Sequence, residues 1–163
     1  MPSLNDAIVN SLSTSQKLLN RYCGDLTPQD YLHRPCATGN TAAWILGHLI
    51  LSERGALGRL GVTDLPALPE GFEKRFGRDE AAARAAEFGD VSILLPLFNR
   101  HREMLIEAAK RAGADVLEKP IDKPNPVYGS HVWEVVNFMG IHVTMHAGQI
   151  TIIRRSMGKP PIV

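Results

Sequence analysis

The sequence predicts an all-α protein, a four-helix bundle with a long connection between helices 2 and 3. Three observations predict it: apolar residues recur at helical spacing in four long segments, no alternating strand pattern persists, and Gly and Pro separate the segments. With 163 residues and 44% hydrophobic content, the chain is expected to fold as one domain, residues 1–163. Cofactor sites in such bundles are built from side chains that face the interior.

The first helix is predicted to begin near Ser3 and to end near Cys23, where Gly24 stops it. Its apolar positions mark one face: Leu4, Ile8, Leu12, Leu19 and Tyr22. A loop rich in Pro and Gly follows. The second helix is predicted from about Asn40 to Leu60, and its first three turns carry no charge.

The connection between the second and third helices, residues 61–89, is long for a small domain. Connections of this length are usually functional or are crossovers between distant elements. Residues 80–87 are rich in alanine and are predicted to form a short helix inside the connection.

The third helix is predicted over residues 91–112, and Pro96 is tolerable there only because it lies near the helix start. A Pro-rich linker, residues 119–126, then leads to the fourth helix. Ser130 is the predicted N-cap of that helix, and the Gly-Lys-Pro-Pro run at 158–161 is its predicted end.

Charge and cysteine content narrow the class of protein. The formal net charge is +1, from 18 basic and 17 acidic side chains, so no nucleic-acid partner is expected. Cys23 and Cys36 are too few for a disulfide framework, and the N-terminus has neither a basic nor an apolar signal region. These features predict a cytoplasmic protein with free thiols.

One segment, residues 135–153, lacks Asp, Glu, Lys and Arg over about the length that spans a bilayer. It also holds four polar residues that are costly in hydrocarbon: Asn137, His142, His146 and Gln149. The segment is therefore predicted to be a buried helix of the bundle, with no membrane partner.

Three histidines on apolar helix faces form the candidate site. His142 and His146 are four residues apart, so they lie about 40° apart around the axis and roughly 6 Å along it. A third ligand from His48 would complete a three-nitrogen site with an open position, as in catalytic zinc sites. Gln149 is a candidate partner that fixes an imidazole tautomer. The helical wheel also places Met145 on this inner face.

The alternative for these histidines is a set of neutral core imidazoles satisfied by backbone or hydroxyl groups. Two adjacent buried imidazoles would need several such partners, and a metal ion replaces them at once, so the metal interpretation is favoured. His101, on the inner face of the third helix, is interpreted as a core residue, with a fourth ligand or a general base as alternatives. His33 and His131 are expected to be exposed.

Other sites known from helical bundles or hydrolases fit less well. A di-iron site requires Glu-x-x-His motifs, which the chain lacks, and the inner faces are expected to carry no carboxylate. The histidine spacing permits haem ligation, but the chain has no haem-attachment cysteine motif. The chain also lacks a nucleophile-elbow pattern.

The chain resembles the DinB/YfiT-like superfamily, bacterial four-helix-bundle proteins with a three-histidine metal site. The matching pieces are residues 44–49 with Glu53, and residues 142–150 followed by Arg154, Arg155 and Gly158. The resemblance implies that His48, His142 and His146 ligate a divalent metal, zinc or nickel. It also implies a homodimer.

Relatives in this superfamily include bacillithiol S-transferases and mycothiol-dependent enzymes such as a maleylpyruvate isomerase. The resemblance therefore implies a metal-dependent enzyme that activates a low-molecular-weight thiol (bacillithiol, mycothiol or glutathione) for S-transfer to a small-molecule substrate. A cation held by three neutral imidazoles favours the thiolate, which is the nucleophile. The alternatives are a metal-dependent hydrolase and a homodimeric metal-binding module without catalysis.

Two surface features bear on these alternatives. Small uncharged residues on the back of the fourth helix suit a dimer contact: Gly140, Thr144, Ala147, Gly148 and Thr151. The long connection is interpreted as a solvated crossover loop. The alternative is a cover for the site whose side chains contact an anionic cosubstrate: Phe72, Lys74, Arg75 and Phe76.

Overall fold

Four long helices form the body of the protein. The computed structural model describes residues 1–77 and 88–162. The elements in these ranges are α1 (Leu4–Cys23), α2 (Pro28–Leu32), α3 (Ala42–Arg59), α4 (Phe72–Phe76), α5 (Leu94–Arg111), α6 (Ala114–Leu117), β1 (Pro120–Asn125), β2 (Gly129–His131) and α7 (Val132–Ser156). The long helices α1, α3, α5 and α7 confirm the predicted all-α four-helix bundle. The helix predicted at 80–87 lies outside the described residues.

The packing order of the long helices differs from their order in the chain. Helix α1 packs against α7 and α5, and α3 packs against α5 and α7. Helices α1 and α3 therefore occupy opposite corners of the bundle, although they follow one another in sequence. Because α3 and α7 are neighbours, the two helices that carry the candidate ligands face each other. None of the described helices is both long and apolar enough to span a membrane.

The predicted starts of the first three long helices are confirmed to within a few residues. At the start of α1, Ser3 Oγ accepts a hydrogen bond from the Asp6 amide at 3.1 Å, while the Asp6 carboxylate accepts one from the Ser3 amide at 2.8 Å. Thr41 Oγ1 caps α3 by accepting from the Trp44 amide at 3.1 Å. A single 3₁₀ turn, Val91–Ile93, precedes α5, so Pro96 falls in the first turn of the α-helix.

The segment predicted as a Pro-rich linker is instead one strand of a hairpin. Strands β1 and β2 pair antiparallel, with Pro120 opposite His131 and Asn125 opposite Gly129. Both strands are edge strands, where a proline without an N–H is tolerated, so Pro120 and Pro124 do not prevent pairing. Gly129 has φ +95°, a conformation that side chains other than glycine rarely adopt.

Helix α7 begins one residue later than predicted. His131, not Ser130, is the N-cap residue, because Ser130 is the middle residue of strand β2. The Glu134 carboxylate accepts hydrogen bonds from the backbone N–H groups of Ser130 and His131 at 2.8 and 2.9 Å. A side chain from the first turn thus satisfies donors at the helix N-terminus.

Two short helices occupy segments that were predicted as loops. Helix α2 begins at a capping box between Thr27 and Asp30 with a proline at its first position. In α4, Phe72 and Phe76 are buried, and Phe76 stacks on Phe88 with 5.3 Å between ring centroids. The expectation that the connection is a solvated loop is therefore wrong for α4, which packs its aromatic rings into the core.

Candidate metal centre

The three candidate histidines meet between α3 and α7. Nε2 of His142 lies 3.3 Å from Nε2 of His48 and 3.1 Å from Nε2 of His146. One ligand atom from each residue lies within 4.8 Å of the others. In a tetrahedral zinc site with Zn–N bonds of about 2.0–2.1 Å, neighbouring nitrogens are about 3.4 Å apart. The two short nitrogen distances therefore fit ligation of one cation.

Gln149 sets the tautomer of one candidate ligand, as the sequence predicted. Nδ1 of His146 lies 3.1 Å from Gln149 Oε1, which can only accept a hydrogen bond. The single proton of a neutral His146 ring is therefore on Nδ1, and its Nε2 lone pair points into the cluster. Asn40 Nδ2 also donates to Gln149 Oε1, at 3.5 Å, and helps to orient the amide.

Burial favours the neutral form that metal binding requires. His146 is only 8% exposed, and desolvation lowers its pKa, against a smaller opposing effect of the Gln149 hydrogen bond. A ring that is already neutral loses no proton when it binds a metal ion. His48 and His142 are half-buried.

Two of the three imidazole rings are stacked against aromatic rings. Trp44 stacks on His48 with 4.9 Å between ring centroids and an interplanar angle of 5°. Phe138 stacks on His142 at 5.8 Å and 18°. Trp44 lies one turn before His48 on α3, and Phe138 lies one turn before His142 on α7. Helical spacing therefore supplies each half-buried imidazole with an aromatic neighbour from its own helix.

His101 is a core residue, as the sequence predicted. Its Nδ1–H donates to the Leu97 carbonyl at 2.8 Å, and its Nε2 accepts from Arg54 Nη1 at 3.1 Å. Both ring nitrogens are thus paired in the neutral form, and burial lowers the pKa of the ring. Within the described residues, the group able to share a metal ion consists of His48, His142 and His146 without His101.

The remaining two histidines are less exposed than expected. His33 and His131 are both half-buried. Nε2 of His33 lies 2.9 Å from Ser156 Oγ, and Nδ1 of His131 lies 3.2 Å from Glu134 Oε2. Each ring therefore has a polar partner of its own, outside the cluster.

The expectation that the inner faces carry no carboxylate is wrong. Glu53 of α3 is completely buried, and its Oε1 accepts from Arg102 Nη2 of α5 at 2.6 Å. Burial raises the pKa of Glu53 to about 7, and the guanidinium opposes that rise. Glu53 does not belong to the group of described residues that could share a metal ion.

Met145 was predicted on the inner face of the fourth helix and is instead 59% exposed. Helical position alone misplaced it, because α7 packs mainly against α1 and α3, and the Met145 side chain is not buried by either. Ile141 and Ile152, at 49% and 61%, lie on the same exposed stripe of α7.

The fold and the cluster together define a helical-bundle protein with a candidate three-histidine metal centre. The profile of the DinB superfamily matches residues 11–150, and the chain belongs to that superfamily. The resemblance seen in the sequence is thereby confirmed.

Structural comparison supports the same fold. The chain is similar to YfiT from Bacillus subtilis, described as a probable metal-dependent hydrolase with an unusual four-helix bundle topology. The TM-score is 0.59 at 17% sequence identity, over 96% of this chain and 89% of YfiT. At this identity the similarity establishes the fold alone. No curated protein matches the chain.

Proposed function

We propose that the protein is a metal-dependent enzyme in which His48, His142 and His146 hold one divalent cation, zinc or nickel. The observation that carries the proposal is the convergence of one ring nitrogen from each of three histidines, on two helices, within 4.8 Å of one another. Membership of the DinB superfamily and the similarity to YfiT support it.

The reaction we favour is transfer of a whole low-molecular-weight thiol, such as bacillithiol, mycothiol or glutathione, to a small electrophilic substrate. The thiol sulfur bonds to the electrophilic carbon, the thiol proton is released, and the bond from that carbon to the leaving group breaks. A bound divalent cation supplies Lewis acidity, which lowers the pKa of a thiol or of water at an open position. The three imidazoles are neutral and cancel none of the positive charge, which favours an anionic thiolate as the incoming group. Gln149 holds the His146 proton on Nδ1, on the side of the ring that faces away from the cluster. Because Nδ1 is already protonated, it does not accept a proton from the substrate.

A metal-dependent hydrolase is the second candidate. The description of YfiT as a probable metal-dependent hydrolase favours it, because YfiT shares this fold. The same three ligands and open position serve activation of water as well as of a thiol. The two reactions differ in the nucleophile, so substrate assays separate them.

Metal analysis followed by activity assays tests the proposal. We expect the purified protein to contain close to one equivalent of zinc or nickel by mass spectrometry. We expect thiol consumption with one of the three thiols on a panel of electrophiles. His142→Ala is expected to lose metal and activity while its helical circular dichroism is unchanged, because the ring is half-buried at the cluster.

His33→Ala is the matched control, since His33 bonds to Ser156 outside the cluster and its loss is expected to leave metal content unchanged. Ester or amide hydrolysis without a thiol requirement would replace S-transfer by the hydrolase. Metal binding without turnover in either panel would contradict the enzyme and favour a metal-binding module. A metal-free wild-type protein that takes up no zinc or nickel would contradict the site itself.

We propose further that the protein is a homodimer that pairs through α7. Of the small residues predicted for this contact, Gly140 and Ala147 are buried within one protomer, and a Cβ at Gly140 would lie 2.1 Å from Ser11 Oγ. The exposed surface beside them is apolar and uncharged: Ile141, Met145, Gly148 and Ile152. A neutral apolar stripe can meet its own copy without opposing like charges.

Introducing one charged side chain into the proposed interface tests the dimer contact. Met145→Glu is expected to convert a dimer to a monomer in light scattering coupled to size exclusion, because the carboxylates of two copies would meet. Ile93→Glu is the control, since Ile93 is an exposed apolar residue outside α7 and its replacement is expected to leave the dimer intact. A wild-type monomer at micromolar concentration contradicts the proposal.

We also propose a cytoplasmic location. Cys23 and Cys36 are free, Cys23 buried and Cys36 exposed, and an exposed free thiol is typical of a reducing compartment. Cell fractionation with an antibody against the native protein tests the location.

A further inference from the structure

We propose that Arg102, together with Glu53, is a positioning residue of the three-histidine centre, and that it fixes the spacing of α3 and α7 at the ligands. The inference rests on the proposed metal site. It concerns one residue of α5 and one of α3, neither of which is a candidate ligand.

The Arg102 guanidinium contacts all three other long helices. Its Nη2 donates to Glu53 Oε1 of α3 at 2.6 Å and to the Met139 carbonyl of α7 at 3.1 Å. Its Nη1 donates to Ser15 Oγ and to the Leu12 carbonyl of α1, at 3.3 and 3.4 Å. Arg102 and Glu53 are both completely buried, so water does not compete for these hydrogen bonds.

The attachment points lie close to the ligands on both ligand-bearing helices. Glu53 follows His48 by five residues, about 7.5 Å along α3, and Met139 precedes His142 by three residues, about 4.5 Å along α7. One nitrogen, Nη2, bonds to both Glu53 and Met139. A single planar group therefore links α3 to α7 beside the cluster, where a displacement of either helix changes the distance between the ligand nitrogens.

Stability alone does not account for such a pair. Well-packed apolar residues of similar size often replace a buried ion pair without loss of stability, while removing one partner alone is strongly destabilising. The best-documented role of buried polar or charged groups is to select one arrangement of helices among several. Here the arrangement that it fixes is the one that brings His48 to His142.

A second buried arginine provides the comparison. Arg154 is 2% exposed, donates to the Tyr22 carbonyl at 3.0 Å, and pairs with Asp25. Its partners belong to α1 and the turn after it, so it joins only one ligand-bearing helix, α7, to the rest of the protein. Loss of Arg154 removes a buried charge without removing the link between α3 and α7.

The experiment measures zinc affinity by chelator competition, the Co²⁺ absorption spectrum, and unfolding by urea. The variants are Arg102→Met, the double variant Arg102→Met with Glu53→Met, and Arg154→Met. We expect Arg102→Met to raise the zinc dissociation constant about tenfold, the lower end of what loss of supporting contacts costs a metal site. The double variant is expected to recover stability in urea but to keep the weakened zinc affinity and an altered Co²⁺ spectrum. Arg154→Met is expected to destabilise the fold and leave zinc affinity within about twofold of wild type.

Two outcomes would overturn the inference and leave the proposed metal site intact. Recovery of zinc affinity together with stability in the double variant, or an equal loss of affinity in Arg154→Met, would show that the pair acts through stability alone. If Arg102→Met does not fold, the double variant carries the same comparison, and Arg102→Lys gives a milder one. A wild-type protein that binds neither zinc nor Co²⁺ overturns the proposed function as well, which distinguishes the two failures.

Discussion

At the scale of single residues, the buried ring of His101 is expected to make the free energy of unfolding depend on pH. The ring of His101 is neutral, donating to Leu97 and accepting from Arg54. Its pKa is lowered first by burial and then by the charges of Arg54 and Arg100, against the Leu97 hydrogen bond, which raises it. In the unfolded chain the same ring titrates near its ordinary value of about 6.5.

A group with a lowered folded-state pKa contributes stability that is lost as pH falls. Below about pH 6.5 the unfolded chain binds a proton at His101 that the folded protein excludes, so the free energy of unfolding decreases on acidification. We expect His101→Gln to lose less stability than wild type between pH 7.5 and 5.5. Urea unfolding of both metal-free proteins at the two pH values measures the difference, because the two proteins differ only at residue 101. Equal losses would contradict the role of His101.

The sequence predicted correctly that His142, His146 and Gln149 are neighbours, because residues three or four apart on one helix lie on the same face. It did not predict the contact of Glu53 with Arg102. A charged residue at the edge of an apolar stripe is either exposed to solvent or paired with a buried partner from a neighbouring helix. Helical periodicity does not show which helices are neighbours, so it could not predict this ion pair.

At the scale of elements, the close approach of α4 to α3 depends on one glycine. A Cβ at Gly47, the residue before His48, would lie 2.1 Å from the Phe76 ring. Gly47 is therefore required for its small size. The short helix α4 consequently packs its aromatic side chain directly on the backbone of the helix that carries a candidate ligand.

Gly47→Ala is expected to destabilise the protein by about 1–3 kcal/mol, the usual cost of overpacking a core. Gly58→Ala is the matched control on the same helix, since nothing lies within 4 Å of a Cβ there. That replacement is expected to raise stability by about 0.5–1 kcal/mol through helix propensity. Urea unfolding measures both, and a neutral Gly47→Ala would show that Phe76 is free to move away.

The elements that the sequence missed are the short ones. The four long helices were predicted because their periodicity extends over several turns. The start of helix α2 is detectable in the sequence, because Thr27 and Asp30 have capping-box spacing and Pro28 occupies the first helical position. The surrounding prolines and glycines favoured a loop instead. The hairpin left none, because its two strands contain Pro120, Pro124 and Gly129 and lack alternating apolar residues.

At the scale of the whole molecule, the helix order determines whether a shared site can exist. The sequence predicted four helices but not that α1 and α3 occupy opposite corners and that α3 faces α7. Short connections favour adjacent packing of consecutive helices, and the long segments between these helices relax that preference. The proximity of His48 to His142 was predicted because both are histidines on apolar helix faces. The packing of α3 against α7 explains how the two rings come together.

Removing the metal tests whether the bundle depends on it. The buried hydrophobic residues of the described chain form two clusters, one that includes Leu46 and Phe98 and one that includes Leu57 and Leu105, and neither contains a histidine. We therefore expect the metal-free protein to keep its helical circular dichroism. Zinc at about a hundredfold excess over its dissociation constant is expected to add about 2.7 kcal/mol to the free energy of unfolding. Thermal and urea unfolding with and without zinc measure the effect. Complete loss of helicity on chelation would instead assign the ion a structural role.

The 94 positions that separate His48 from His142 also have a consequence for biosynthesis. While the polypeptide emerges from the ribosome, His48 is synthesised long before His142 and His146. If the three histidines hold a cation as proposed, the complete site forms only after α7 has packed against α3, so a nascent chain that lacks α7 is expected to gain no stability from zinc.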